Sequence, residues 1–151
     1  MNEATIKKAI AANPTIKPNR IRAALKPIKH KEEDEQAIVV EWAHWAYKHH
    51  SDKFPLLRLL HCSLNGVKLS KMQAIRAKRQ GMLSGVLDLF LPVRRGGYAG
   101  LYIEMKWGKN TTTPNQKTYK ADVESQGFLA KVCYSAKEAI EVIQKYYGVT
   151  L

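Results

Sequence analysis

Three residues of this chain have the types and spacing that phosphodiester chemistry uses: Asp88, Glu104 and Lys106. Asp88 sits inside one apolar run, residues 86–92, and Glu104 and Lys106 sit in a second, residues 100–106. A carboxylate on an apolar strand is costly unless it is paired or bound to a cation. In an extended strand, residues two apart share a face, so Glu104 and Lys106 project together while Ile103 and Met105 face the other way. Side by side, the two runs would bring both carboxylates to one point. Two hard oxygen ligands suit Mg²⁺ or Mn²⁺ in contact with a substrate phosphate. Such an ion polarises a phosphoryl oxygen and acidifies a water, and a neighbouring ammonium can orient that water and offset transition-state charge. The plainer alternative is an ion pair, Asp88–Lys106 or Glu104–Lys106. Placement on adjacent strands and the charge of the chain speak against it.

That charge is +12 over 151 residues, which calls for a polyanionic partner, nucleic acid ahead of an anionic membrane surface. Its distribution is uneven. Residues 1–31 carry eight Lys/Arg against one Glu, and residues 68–79 carry five basic residues and no acid. A hydrophobic fraction of 45% suffices for one packed core. No apolar run approaches the roughly 20 residues of a membrane helix, and the N-terminus lacks the apolar stretch of a secretory signal. These features predict a soluble, cytoplasmic protein. Cys62 and Cys133 both fall in apolar, strand-like stretches and read as buried free thiols.

The elements that must position the triad follow from periodicity and punctuation. Residues 1–31, broken by Pro14, Pro18 and Pro27, read as a partly ordered basic arm with a short helix from Thr5 to Ala12. Residues 32–151 read as the folded domain. Within it, 32–50 is a helix with acids in its first turn and an apolar face of Ile38, Trp42, Trp45 and Ala46. Residues 55–62 read as a strand, with Asn65-Gly66 as the following turn. Ser70 caps a basic helix ending at Gly81. Residues 86–106 form a hairpin turning at Arg94-Arg95-Gly96-Gly97. Residues 115–126 are a helix, 128–134 a strand, and Ser135 caps a last helix carrying Ala139, Ile140, Ile143 and Tyr147. The order predicts an α/β domain: a mixed sheet with helices on its faces.

Several ordered blocks also resemble the VRR-NUC family of the PD-(D/E)XK nucleases. They are Asn65-Gly66, Gly81 with Gly85-Val86-Leu87-Asp88-Leu89, Leu91-Pro92, and Gly96-Gly97-Tyr98-Ala99-Gly100-Leu101. Ile103-Glu104-Met105-Lys106, Pro114-Asn115-Gln116, Gly127 and Val132-Cys133-Tyr134-Ser135 follow. With the acidic helix, the similarity spans roughly residues 32–147. The resemblance implies a restriction-endonuclease-like core with a central four-stranded mixed sheet. It implies Asp88 and Glu104 as ligands of Mg²⁺ or Mn²⁺, the Met105 carbonyl as a further ligand, and Lys106 as the catalytic cation. It adds a helix-one glutamate, best matched by Glu35 with Glu32 as competitor, and Gln116 as a polar orienter. Two departures stand out: Leu87 replaces the family's proline before the aspartate, and Leu64 replaces one before the Asn-Gly. The first leaves the ligands intact and puts the local backbone geometry in question.

Lys68, Lys71, Arg76, Lys78, Arg79, Arg94 and Arg95 are candidate DNA-backbone contacts, which position a duplex without reading its sequence. His61, just before the Asn-Gly turn, is either a substrate contact or a packed strand histidine. His44 and His49, five apart, do not share a helix face, spacing supports no Ser-His-Asp or Cys-His set, and Gly96-Gly97 reads as a hairpin turn and not a phosphate loop. Trp42 and Trp45 read as core or dimer interface. The resemblance thus implies a metal-dependent DNA endonuclease, selective for branched DNA such as a four-way junction and working as a homodimer in a bacterial or phage-infected cell. The alternative from another class is a catalytically silent DNA-binding module on the same fold.

Overall fold

The computed structural model of the chain describes residues 32–63 and 69–151. The expected arm, the Asn65-Gly66 turn and Lys68 lie outside the described residues. The elements are helix α1 (Glu32–His49), a 3-10 turn (Leu57–Leu59), β1 (His61–Cys62), α2 (Lys71–Arg79), β2 (Leu89–Leu91), β3 (Leu101–Met105), α3 (Pro114–Ser125), β4 (Leu129–Cys133) and α4 (Ala136–Tyr147). The sheet runs β1-β2-β3-β4. Its first two pairings are antiparallel, and β3 pairs with β4 in parallel through the α3 crossover. This is the mixed four-stranded sheet with flanking helices that the element order predicts.

The hairpin closes at Arg95–Tyr98, where Gly96 and Gly97 both take positive φ (55° and 85°), a backbone that side chains with a Cβ resist. On one face of the sheet Leu89, Leu91, Leu101, Ile103, Met105 and Cys133 pack with α1 and α4 into the main core. On the other, Tyr102, Phe90, Phe128 and Ala130 form a smaller cluster beneath Tyr119 and Val123 of α3. Tyr146 and Tyr147 of α4 anchor their hydroxyls on the carbonyls of Val93 (2.6 Å) and Pro55 (2.8 Å).

Three expectations change. Residues 55–62 are not one strand: a 3-10 turn precedes a two-residue β1. The buried residues there are Phe54, Leu57 and Leu60, a spacing of three that suits a 3-10 helix and not the alternation of a strand. Leu56 takes a left-handed backbone (φ 64°), which no strand contains. Second, α1 buries Val39, Ala43 and Ala46, while Ile38 (41%) and Trp45 (47%) stay exposed. Small alanines let the helix lie close to the core. Trp42 reaches it from the side, edge-on to Phe54 at 5.6 Å, and Trp45 lies against His49 and His50 at the helix end. Third, Cys62 is exposed because β1 is the sheet's outer strand, whereas Cys133 is buried; both are free thiols.

Candidate active site

The site is built on β3. Its odd-numbered residues enter the main core, so Glu104 points to the opposite face, where α3 covers it. Lys106 lies just past the strand, yet its N–H donates to the Cys133 carbonyl (2.8 Å) and continues the parallel ladder. That extension keeps Glu104 and Lys106 on one face. Both are buried, at 0% and 6% exposure. The Lys106 ammonium donates to Glu104 Oε1, to the Met105 carbonyl (3.1 Å) and to Glu32 Oε1 (3.3 Å).

Asp88 arrives from the neighbouring strand. It immediately precedes β2, and its Oδ2 accepts from the Met105 N–H at 2.8 Å. This bond fixes the aspartate across the hairpin without a proline before it. The Asp88 carbonyl accepts from Ser63 N–H (2.8 Å), so the chain after β1 holds the same residue from the other side.

Gln116 enters from the first turn of α3 by a capping box. Thr113 Oγ1 accepts from the Gln116 N–H (3.3 Å), and Gln116 Oε1 accepts from the Thr113 N–H (2.8 Å). The remaining amide nitrogen donates to Glu104 Oε1. The helix start is held by the loop after α2. Asn115 Nδ2 donates to Ser84 Oγ (3.1 Å), and Gly85 lies so close that a Cβ there would stand 2.6 Å from the Asn115 carbonyl carbon and oxygen. Gly85 also has φ +87°, so glycine is required twice over.

The helix-one acid that reaches the cluster is Glu32, not Glu35. Glu35 turns to α4, where its Oε2 accepts from the Ala136 N–H (2.6 Å) at the helix N-terminus. The two acids lie one helical turn apart, and spacing alone cannot separate them. Arg94 and Arg95 lie in the hairpin turn, at the opposite end of β3 from Lys106, and Arg95 rests over the Tyr147 ring at 4.6 Å. Lys71, Arg76, Lys78 and Arg79 lie on α2, a helix with no buried residue. His61 is exposed on β1; its Nδ1–H donates to the Leu59 carbonyl (2.9 Å) and its ring meets Phe90 edge-on.

The electrostatics follow from this burial. Desolvation pushes the Glu104 carboxyl up to about 7, against the pull of the Lys106 hydrogen bond, and Asp88 adds to the rise. Desolvation also raises Asp88, with the Met105 N–H acting the other way. At Lys106 desolvation acts to lower the pKa, but the Glu104 hydrogen bond and the nearby carboxylates outweigh it and hold the ammonium above its usual value.

Glu32, Asp88 and Glu104 each offer an oxygen, and these lie within 4.8 Å of one another, the one such acidic group among the described residues. Glu104 Oε2 is buried without a hydrogen-bond partner. Such an atom is expensive unless something electropositive meets it. An all-oxygen set with an orphaned carboxylate oxygen fits a hard divalent cation.

A mixed sheet with two acids and a lysine at the open end of the β2–β3 hairpin defines a restriction-endonuclease-like, nuclease-type domain. The VRR-NUC domain matches residues 16–137, and the chain belongs to this family. The match begins inside the segment expected to be an arm. A solved structure described as a "VRR_NUC domain protein" is 30% identical, covering 80% of this chain and 90% of its own, with a TM-score of 0.64. No curated protein matches the chain.

Proposed function

We propose that this chain is a divalent-metal-dependent DNA endonuclease that hydrolyses phosphodiester bonds. The observation that carries the reading is the orphaned Glu104 Oε2 within the Glu32–Asp88–Glu104 group, beside a buried lysine. Asp88, Glu104 and the Met105 carbonyl are the ligands, with Glu32 added on its geometry, and Mg²⁺ or Mn²⁺ is the ion. When bound, the ion supplies Lewis acidity toward a phosphoryl oxygen and acidifies a water.

The chain's own groups do the rest. Gln116 fixes the Glu104 carboxylate, and the Met105 N–H orients Asp88. The Lys106 ammonium, held charged by its carboxylate neighbours, stands where it can orient the attacking water and offset charge on the phosphate. Lys71, Arg76, Lys78 and Arg79 hold backbone phosphates from α2. Branched DNA, a four-way junction first, is the favoured substrate, and a two-fold dimer would present two sites to two strands. Among the described residues, no helix is long and apolar enough to cross a membrane.

The test is cleavage of labelled junction, flap, splayed and duplex DNA with Mg²⁺, Mn²⁺ or EDTA, comparing wild type with Lys106→Ala. Metal-dependent cutting lost in the variant supports the assignment. Binding without cutting in any metal leaves a silent DNA-binding module instead.

A further inference from the structure

Among the described residues, two buried side-chain polar atoms have no hydrogen-bond partner: Glu104 Oε2 and Ser63 Oγ. A hydroxyl closed off from water and left unbonded is costly, and folded proteins keep few of them. The sheet sets both residues in one row. On the α3 face, His61, Phe90 and Tyr102 form a line of rings across β1, β2 and β3. His61 meets Phe90 edge-on at 5.6 Å, and Phe90 stacks on Tyr102 at 4.2 Å. Both pairings are antiparallel, so two residues onward in β1 and β3, and two back in β2, lead to the same end of the sheet. Residues two apart share a face, which makes Ser63, Asp88 and Glu104 the next row. The Ser63 N–H bond to the Asp88 carbonyl (2.8 Å) carries the β1–β2 ladder into it.

Ser63 therefore flanks Asp88 on the side away from Glu104. Strands lie about 4.8 Å apart, so Ser63 stands one spacing from Asp88 and roughly 10 Å from β3. An ion held between the two acids is out of the hydroxyl's direct reach. Mg²⁺ keeps several waters at about 2.1 Å, and a hydroxyl bonded to one of them lies about 5 Å from the ion, close to one strand spacing. We propose that Ser63 is a positioning residue: its hydroxyl accepts a hydrogen bond from a water in the hydration shell of the divalent ion, on the Asp88 side. One occupant then satisfies both unpartnered atoms, Glu104 Oε2 by the ion and Ser63 Oγ by its water. The inference rests on the metal-dependent reading above and extends it to the residue that holds the ion's waters.

The experiment needs no DNA. Mn²⁺ is titrated into wild type, Ser63→Ala and Ser63→Thr, and free Mn²⁺ is read by its electron paramagnetic resonance signal. The alanine variant should bind Mn²⁺ about tenfold more weakly, the scale of a lost outer partner of a metal site, and threonine should restore most of the loss. Urea unfolding in EDTA gives the second readout. Removing an unbonded buried hydroxyl relieves a cost, so Ser63→Ala should unfold at the same urea concentration as wild type or a higher one. Mn²⁺ affinity within about twofold of wild type in Ser63→Ala, or a threonine variant as weak as the alanine, overturns the proposal. So does a Ser63→Ala protein that is less stable in EDTA or fails to fold, because the hydroxyl would then already have a partner. These outcomes leave the nuclease reading standing. A wild type that binds no Mn²⁺ overturns both.

Discussion

Replacing Glu104 by glutamine separates what the buried carboxylate costs from what it does. Burial raises this carboxyl from 4.5 to about 7. A carboxyl whose folded-state pKa is raised contributes its stability in full below the unfolded value. That contribution is lost as pH rises through the folded value. With about 1.4 kcal/mol per unit, the metal-free wild type should lose up to about 3 kcal/mol from this group between roughly pH 4.5 and pH 8. The glutamine of Glu104→Gln cannot titrate, so the contribution of this carboxyl is absent from the variant. The difference in unfolding free energy, variant minus wild type, should therefore climb by about 3 kcal/mol across that range. Urea unfolding in EDTA at pH 5, 6, 7 and 8, followed by tryptophan emission, measures it. Excess Mn²⁺ at pH 8 should then stabilise the wild type and leave the variant almost unchanged, because only a state that binds the ion gains from it. A flat difference curve, or one that falls with pH, would refute the claim that a charge is being held out of water at this position.

Other perturbations test the supports. Gly85→Ala adds a Cβ 2.6 Å from the Asn115 backbone at φ +87°; it should cost about 2 kcal/mol in urea unfolding and slow cleavage by shifting Gln116 off Glu104. Changing Lys71, Arg76, Lys78 and Arg79 to Gln should weaken DNA binding and flatten its salt dependence by about 0.9 for each phosphate no longer neutralised. Stability should stay within about 0.5 kcal/mol, because α2 buries none of its residues. Tyr146→Phe removes the buried bond to the Val93 carbonyl and should cost about 1–2 kcal/mol with no change in cleavage, since it lies by the far end of the hairpin.

What the sequence made legible was local. Ser70 and Ser135 each cap the helix that follows, and Gly96-Gly97 makes the hairpin turn, because capping and positive φ are written in single residues. The two-residue repeat of β3 told correctly which side chains share the Glu104 face, and the family blocks gave the sheet. The contacts that cross the fold were not written that way. Glu32 and Glu35 share a helix face, and only the packing of α4 against α1 decides that Glu35 meets the Ala136 N–H while Glu32 reaches Lys106. Leu57 and Leu60 read as strand because an apolar run carries no period of its own when nearly every residue around it is apolar. The Gly85–Asn115 approach joins segments 30 residues apart, and a lone glycine gives no sign of what it touches.

The central claim is most directly tested by the anomalous difference density of crystals soaked in Mn²⁺. The expected result is a peak bounded by Asp88, Glu104 and the Met105 carbonyl, with Glu32 turned toward it and Lys106 alongside. No peak there at saturating Mn²⁺, or a peak held by other residues while these stay as they are, would contradict it.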